Sequence, residues 1–241
     1  MEIHARRVGV TGAHGPLVRP TTLLVGTGGF ALVAGDPGTG HTAFGLVLSG
    51  RLKPGSGSVL LDGVDDPKEL RKRVALVDAP DVNEPEAALS LGVVVGEELA
   101  MIGRRSGRKA VADWLADRDA DRYADSRFEH VPPDVRCALL LELAAARPGV
   151  RALVLDTPDR YHGVPESWLE LAQARVTPEL SVVVLCTTAS ARLLDIPTAR
   201  LGEDNTPPAE VVDDTAADAD TVTDTAAVVV AETEDVQEKT A

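Results

Sequence analysis

The run Phe30 to Gly50, FALVAGDPGTGHTAFGLVLSG, constrains this chain more than any other stretch. Phe30 to Ala34 is a short apolar segment that reads as a buried strand. Gly35-Asp36-Pro37-Gly38-Thr39-Gly40-His41-Thr42 follows, and from Ala43 to Leu48 the apolar character resumes as the start of a helix. Strand, glycine-rich turn and helix in that order is the setting of a P-loop, whose pattern is Gly, any four residues, Gly, Lys, then Ser or Thr. Every position of the pattern is met except one, because His41 stands where the lysine belongs.

The chemistry of such a loop explains both the match and the miss. Gly38 and Gly40 let the backbone turn so that successive N–H groups aim inward at a phosphate. The helix that follows adds its positive N-terminal end, and Thr42 offers a hydroxyl to Mg2+. What is missing is the fixed cation that reaches the outer phosphates, since a histidine is shorter than a lysine and is mostly neutral near neutral pH. The residues Gly35, Asp36, Pro37, Gly38, Thr39, Gly40, His41, Thr42 and Ala43 are therefore expected to cradle phosphate weakly. The same residues also fit a glycine-rich turn before a helix, with no ligand.

A chain of 241 residues with 44% apolar content has ample length for a core. Aromatics make up only 3%, so Ala, Val and Leu must fill that core. The formal charge of −14 is unevenly spread. Residues 203–241 hold 12 acids against the single base Lys239, whereas the first 202 residues carry 26 acids and 23 bases. The body is nearly neutral, which argues against a nucleic-acid surface, and the end of the chain reads as a disordered acidic tail. Glu2, His4, Arg6 and Arg7 interrupt any secretory leader, and no apolar run reaches membrane-spanning length. The expectation is a soluble, cytoplasmic protein that meets a membrane only through a partner. Cys137 and Cys186 both lie in apolar runs and read as small buried hydrophobes.

Along the chain, Met1 to Val10 and Leu17 to Val25 read as β segments, and Ser58 to Leu61 as a strand ending in the hairpin-like Asp62-Gly63. Pro67 to Lys72 starts a short helix, and Val74 to Val77 is a strand. From Glu84 to Arg127 the pattern is helical, with Leu89, Leu91, Val95, Leu99 and Ile102 on one face and a polar break at Arg104 to Arg108. Pro132-Pro133-Asp134 opens a helix that runs to about Arg147. Arg151 to Asp156 is an apolar strand with a carboxylate at its C-terminal end, where ligands of open α/β sheets sit. A helix over Pro165 to Arg175 and a strand over Leu180 to Cys186 complete the series. Apolar strands alternating with helices predict an α/β fold with a mostly parallel sheet covered on both faces.

With these parts in place, residues 1–202 resemble the nucleotide-binding subunit of ATP-binding cassette (ABC) transporters. The most telling stretch is Leu48-Ser-Gly-Arg-Leu-Lys-Pro-Gly-Ser-Gly-Ser-Val-Leu-Leu-Asp-Gly63, which looks like the segment that family places between its P-loop helix and its next strand. Asp156 sits where the family's Walker B aspartate would, 115 residues after His41. The resemblance implies a P-loop NTPase core with an N-terminal antiparallel β part and an inserted helical subdomain at about 84–147. It implies ATP and Mg2+ as ligands, with Thr42 and Asp156 serving the metal. It also implies an integral-membrane permease as partner, at the inner face of the membrane, and pairing with an identical or a second ABC subunit.

The chain departs from that family at nearly every chemical position. The lysine is His41, the glutamine of the Q-loop falls near Ala79, and the signature falls on Pro132-Pro133-Asp134-Val135-Arg136, where Asp134 would repel phosphate. The glutamate after Walker B is Thr157, the switch histidine is Thr188, and the adenine-stacking aromatic near Gly12 to His14 is absent unless His14 substitutes. Losing one such electrostatic group commonly costs about 10²- to 10³-fold in rate, so the expectation is weak or absent hydrolysis. The alternative is a non-hydrolysing scaffold or regulatory partner of a membrane complex. Simpler readings stand beside the other candidates. Asp156 could be a solvated carboxylate, Asp78 and Asp81 a charged loop, His130 and His162 surface residues, and Trp114 and Trp168 packing anchors. The basic run Arg104-Arg105-Ser106-Gly107-Arg108-Lys109 either meets a permease or lipid headgroups or is a solvated turn.

Overall fold

Two strands rich in Val, Leu and Thr open the chain and fold back on each other. The computed structural model describes residues 1–161 and 163–206. In it β1 (Ile3–Gly12) pairs antiparallel with β2 (Gly15–Val25) and, on its other edge, with β4 (Ser56–Leu61). The strict alternation of a half-buried strand is broken early in β1. Arg6 and Arg7 are both exposed between the buried Ala5 and Val8, the register shifts there, and Arg7 takes a φ of 47°. This bulge keeps Ile3, Ala5, Val8 and Val10 all facing inward.

The second sheet consists of β3 (Phe30–Gly35), β5 (Val74–Val77), β6 (Ala152–Asp156), β7 (Ser181–Thr187) and β8 (Thr198–Arg200), in the order β5-β6-β7-β3-β8. Every pair in it is parallel. Its central strands are apolar almost without interruption because both faces are covered. Val33, Leu76, Val154, Val183 and Leu185 meet Phe44 and Val47 of α1 (His41–Leu48) and the small sheet. Leu32, Ala34, Leu153, Leu155, Val182 and Val184 share the opposite core with α5 (Pro133–Ala145) and α6 (Pro165–Gln173). Cys137 and Cys186 are buried and unpaired, as their apolar settings predict.

Between β5 and β6 lies the helical part. Its helices are α3 (Leu91–Met101), α4 (Arg108–Ala116) and α5, with single 3-10 turns at Asp121–Tyr123 and Phe128–His130. The helix expected to include Leu89 starts two residues later, because the Ser90 hydroxyl caps it on Val93 N–H and Leu89 instead pairs its backbone with Phe128. Asp62-Gly63 closes a tight turn from Leu61 to Val64 but leads into α2 (Pro67–Arg73), capped by Asp66, not into a partner strand. The short β8 and the one-turn α7 (Thr188–Ala191) carry too few residues to show a period in the sequence.

The domain does not end at residue 202. Residues 203–206, which the sequence places in the acidic tail, are tied to β2. Thr22 N–H donates to Glu203 O (3.0 Å), and the Asn205 amide donates to Thr22 O (2.9 Å). The remainder of the expected tail, 207–241, and His162 lie outside the described residues. No helix among the described residues is long and apolar enough to cross a membrane.

Candidate functional site

The glycine-rich run forms the turn its composition demands. Gly38 and Gly40 have φ of 84° and 86°, conformations that side chains other than glycine's rarely adopt. Gly40 is the residue just before α1, and Phe44 N–H returns to its carbonyl (2.8 Å) to begin the helix. Thr39 folds back on Asp36 O through both its N–H (3.1 Å) and its hydroxyl (2.7 Å). Residues 35–42 thus link the C-terminal end of β3 to the N-terminus of a helix, with Asp36, Pro37 and Gly38 exposed. A cavity of about 320 Å3 borders the loop at Gly35, Gly38 and Thr39, and Thr188, the first residue after β7, also lines it. His14, in the β1–β2 turn, is exposed and does not line this cavity.

His41 departs from what a lysine does in such a loop. Its side chain is turned into the protein, 7% exposed, and Nε2–H donates to the Cys186 carbonyl oxygen on β7 (2.8 Å). The ring therefore pins the start of α1 to the neighbouring strand, while the backbone of residue 41 stays in the loop.

Asp156 is fully buried at the end of β6, two strands from the loop. No donor among the described residues hydrogen-bonds either of its carboxylate oxygens in good geometry. Burial pushes its pKa up, and the Thr42 hydroxyl, His41 and Arg160 draw it partly back. A buried carboxylate with two empty oxygens is costly. A hard cation relieves that cost, and Mg2+ commonly takes one or two carboxylates together with substrate phosphates. Asp156 with Thr42 at hand fits Mg2+ on those grounds. The described residues hold no cluster of three or more His, Cys, Asp and Glu suited to a metal, so the phosphates and water would have to complete the shell.

Beyond Asp156 the chain turns sharply. Thr157, where the resemblance implies a glutamate, has a φ of 43°, a strained setting for a β-branched residue. Arg160 then reaches back to Asp156 O (2.8 Å) and forward to Asp78 (2.9 Å) and Glu84 (3.3 Å). Tyr161 also donates its hydroxyl to Asp78 (3.2 Å). Burial lifts Asp78 to about 6, with Arg160 and Tyr161 opposing the shift. Asp159 receives Thr187 N–H (2.9 Å) and the hydroxyls of Thr187 (2.6 Å) and Ser190 (2.7 Å), which fastens this turn to the end of β7. Asp78 is thus a structural ion-pair partner and not a free loop charge. Ala79 is fully buried and held by Asn83, whose amide accepts from Ala79 N–H and donates to Leu76 O. Sequence reasoning passed over Asn83, Asp159, Arg160 and Tyr161, since none belongs to a spacing pattern.

No family model matches the chain. It is 29% identical over 148 residues to a taurine import ATP-binding protein, TauB, of Pseudomonas savastanoi pv. phaseolicola, a match covering 61% of this chain and 56% of that one. It is 27% identical over 191 residues to a biotin transport ATP-binding protein, BioM, of Rhizobium etli, covering 76% of this chain and 83% of the other. The structure is similar to an ABC transporter ATP-binding protein from Pyrococcus furiosus (TM-score 0.58, 17% identity, 85% of this chain and 97% of that one). This chain resembles the ATP-binding subunits of ABC transporters and has their fold. A further match is a dimeric ATP-binding cassette bound to ADP and Pi in a post-hydrolysis state (TM-score 0.58, 18% identity, 83% and 97% coverage). In the frame of that ABC fold, the loop before α1, the end of β6 and the end of β7 converge at one edge of the parallel sheet.

Proposed function

We propose that this chain is the ATP-binding subunit of an ABC-type membrane transporter, and that it binds Mg-ATP but hydrolyses it slowly or not at all. The observation that carries this reading is the pair of empty, buried oxygens of Asp156 beside Thr42, at the edge where a glycine turn opens α1. Backbone N–H groups of residues 38–43 and the positive end of α1 would hold the phosphates. Thr42 and Asp156 would hold Mg2+, whose charge offsets the negative charge gathering on the β- and γ-phosphates. The chain's own groups beyond that supply little catalysis. His41 is committed to Cys186 O, and Thr157 has no carboxylate to orient a water. The second form of the proposal is a non-hydrolysing scaffold or regulatory partner of a membrane complex.

The relatives' names, a taurine import and a biotin transport ATP-binding protein, support a role in transport, and with that role we infer a permease as partner and a cytoplasmic position at the membrane's inner face. The dimeric cassette supports pairing with an identical or a second ABC subunit. The exposed turn Arg104 to Arg108 between α3 and α4 is the surface we assign to the permease side. Calorimetry with Mg-ATP tests the reading directly. A dissociation constant in the micromolar to millimolar range supports it, and no heat at millimolar Mg-ATP overturns it. Turnover that disappears in Asp156→Asn would exclude the non-hydrolysing form. Turnover unchanged in that variant would come from a contaminant.

A further inference from the structure

The strongest unexplained group outside the nucleotide edge is Arg136. It is 6% exposed, its Nε is buried without a partner, and its guanidinium makes no hydrogen bond or ion pair with any described residue. It is held instead between aromatic faces, 3.9 Å from the centroid of Tyr161 and 5.4 Å from that of Phe128. Asp78, the nearest buried acid, is already taken by Arg160 and Tyr161. Arg136 thus feels the charge of Asp78 but has no hydrogen-bonded anion of its own among the described residues.

The cavity it lines supplies the setting for one. A volume of about 220 Å3 opens between the first turn of α5, at Pro133 and Asp134, and the first turn of α6, at Val164 and Ser167. Both helix starts present their positive ends. Trp168 also lines the cavity, is 5% exposed, and its Nε1–H has no acceptor. Two residues, each with a buried donor that lacks an acceptor among the described residues, therefore line one small chamber. Most of its wall is apolar, formed by Pro158, Cys137 and the rings of Tyr161 and Trp168, with Val164 66% exposed beside it. Two carboxylates also line it, the exposed Asp134 and the buried Asp78 already paired with Arg160, and they disfavour a multiply charged ligand. An inorganic phosphate would leave most of its oxygens unsatisfied against such walls.

We infer that this chamber is a binding site for a small carboxylate with an apolar body, its carboxylate paired with Arg136 and its body against Trp168. The site is separate from the nucleotide edge and stands whether or not ATP binds. Benzoate is a suitable probe, with benzyl alcohol as its uncharged counterpart and inorganic phosphate as the anion without a body. The chain has two tryptophans, so Trp114→Phe leaves Trp168 as the single indole reporter. In the full chain carrying that change, Trp168 emission is expected to shift saturably with benzoate. Arg136→Gln is expected to weaken benzoate about tenfold or more, the loss typical of a charge-assisted bond. Benzyl alcohol and phosphate are expected to bind at least about tenfold more weakly than benzoate. Thermal melting gives a second readout. Because the cation is unpaired, Arg136→Met is expected to melt no lower than wild type, and benzoate should raise the melting temperature of wild type alone. No saturable response by about 10 mM benzoate, a limit well above millimolar affinity, would overturn the inference. So would equal affinity for benzyl alcohol, or unchanged benzoate affinity in Arg136→Gln.

Discussion

Asp156 shows how a single side chain can be held at a cost to the fold. Its carboxylate is buried and unbonded, so Asp156→Asn is expected to raise stability by about 1–3 kcal/mol in the presence of a chelator, measured by urea unfolding at pH 8. Mg-ATP should reverse the order, stabilising the wild type and not the variant. Asp78 makes a pH-dependent contribution. Its folded pKa is about 6 against an ordinary 3.8, so the folded state binds the proton more tightly than the unfolded chain does. That difference favours folding fully below about pH 4, declines as pH rises through 6 and is absent above it, amounting to about 3 kcal/mol at most. The stability of wild type relative to Asp78→Asn is therefore expected to fall between pH 4 and 6 and to level off above, in melts followed across that range. At His41 the trade is between pinning and charge. His41→Lys gives up the bond to Cys186 O, about 1 kcal/mol, and restores a cation to the loop. Titration with Mg-ATP should show about tenfold tighter binding together with a lower melting temperature.

At the scale of elements, the turn between β3 and α1 depends on glycine in two ways. Gly40 has a positive φ, and a Cβ added there would stand 2.2 Å from the Leu17 carbonyl oxygen on β2. The loop is thus packed directly against the antiparallel sheet, so that sheet is part of the nucleotide edge. Gly40→Ala is expected to cost about 3 kcal/mol in unfolding free energy and to abolish the calorimetric signal with Mg-ATP. The helix starts were legible from sequence wherever a cap or proline marked them. Pro67 in α2, Pro133 in α5 and Pro165 in α6 all stand where the structure begins a helix. The start of α3 was misplaced because Leu89 has the right spacing for the helix face but is claimed by Phe128, a partner 39 residues away. Periodicity reports which side is apolar, not where a distant backbone takes over.

For the molecule as a whole, the last described residues close the parallel sheet against the antiparallel one. Leu201 N–H bonds Ala34 O, Gly202 N–H bonds the Thr21 hydroxyl, and Glu203 and Asn205 bond Thr22. A chain cut after Gly202 is therefore expected to unfold at lower urea than one cut after Thr206, by about 1–3 kcal/mol for the bonds lost.

The sequence by itself determined the parallel strands, the glycine turn and the order of elements, because strand apolarity, capping residues and positive-φ glycines are local properties. It also located Thr42 and Asp156, since a hydroxyl at a helix start and a carboxylate at a strand end are fixed by the elements that carry them. It could not assign the direction of the His41 ring, the pairing of Asp78 with Arg160, or the lack of a hydrogen-bonded acid at Arg136 among the described residues. Each of these depends on which strand or turn lies alongside, often more than eighty residues away in the chain. A buried charge finds or lacks its partner only when the tertiary structure brings the walls together, and there the balance of desolvation against pairing is decided.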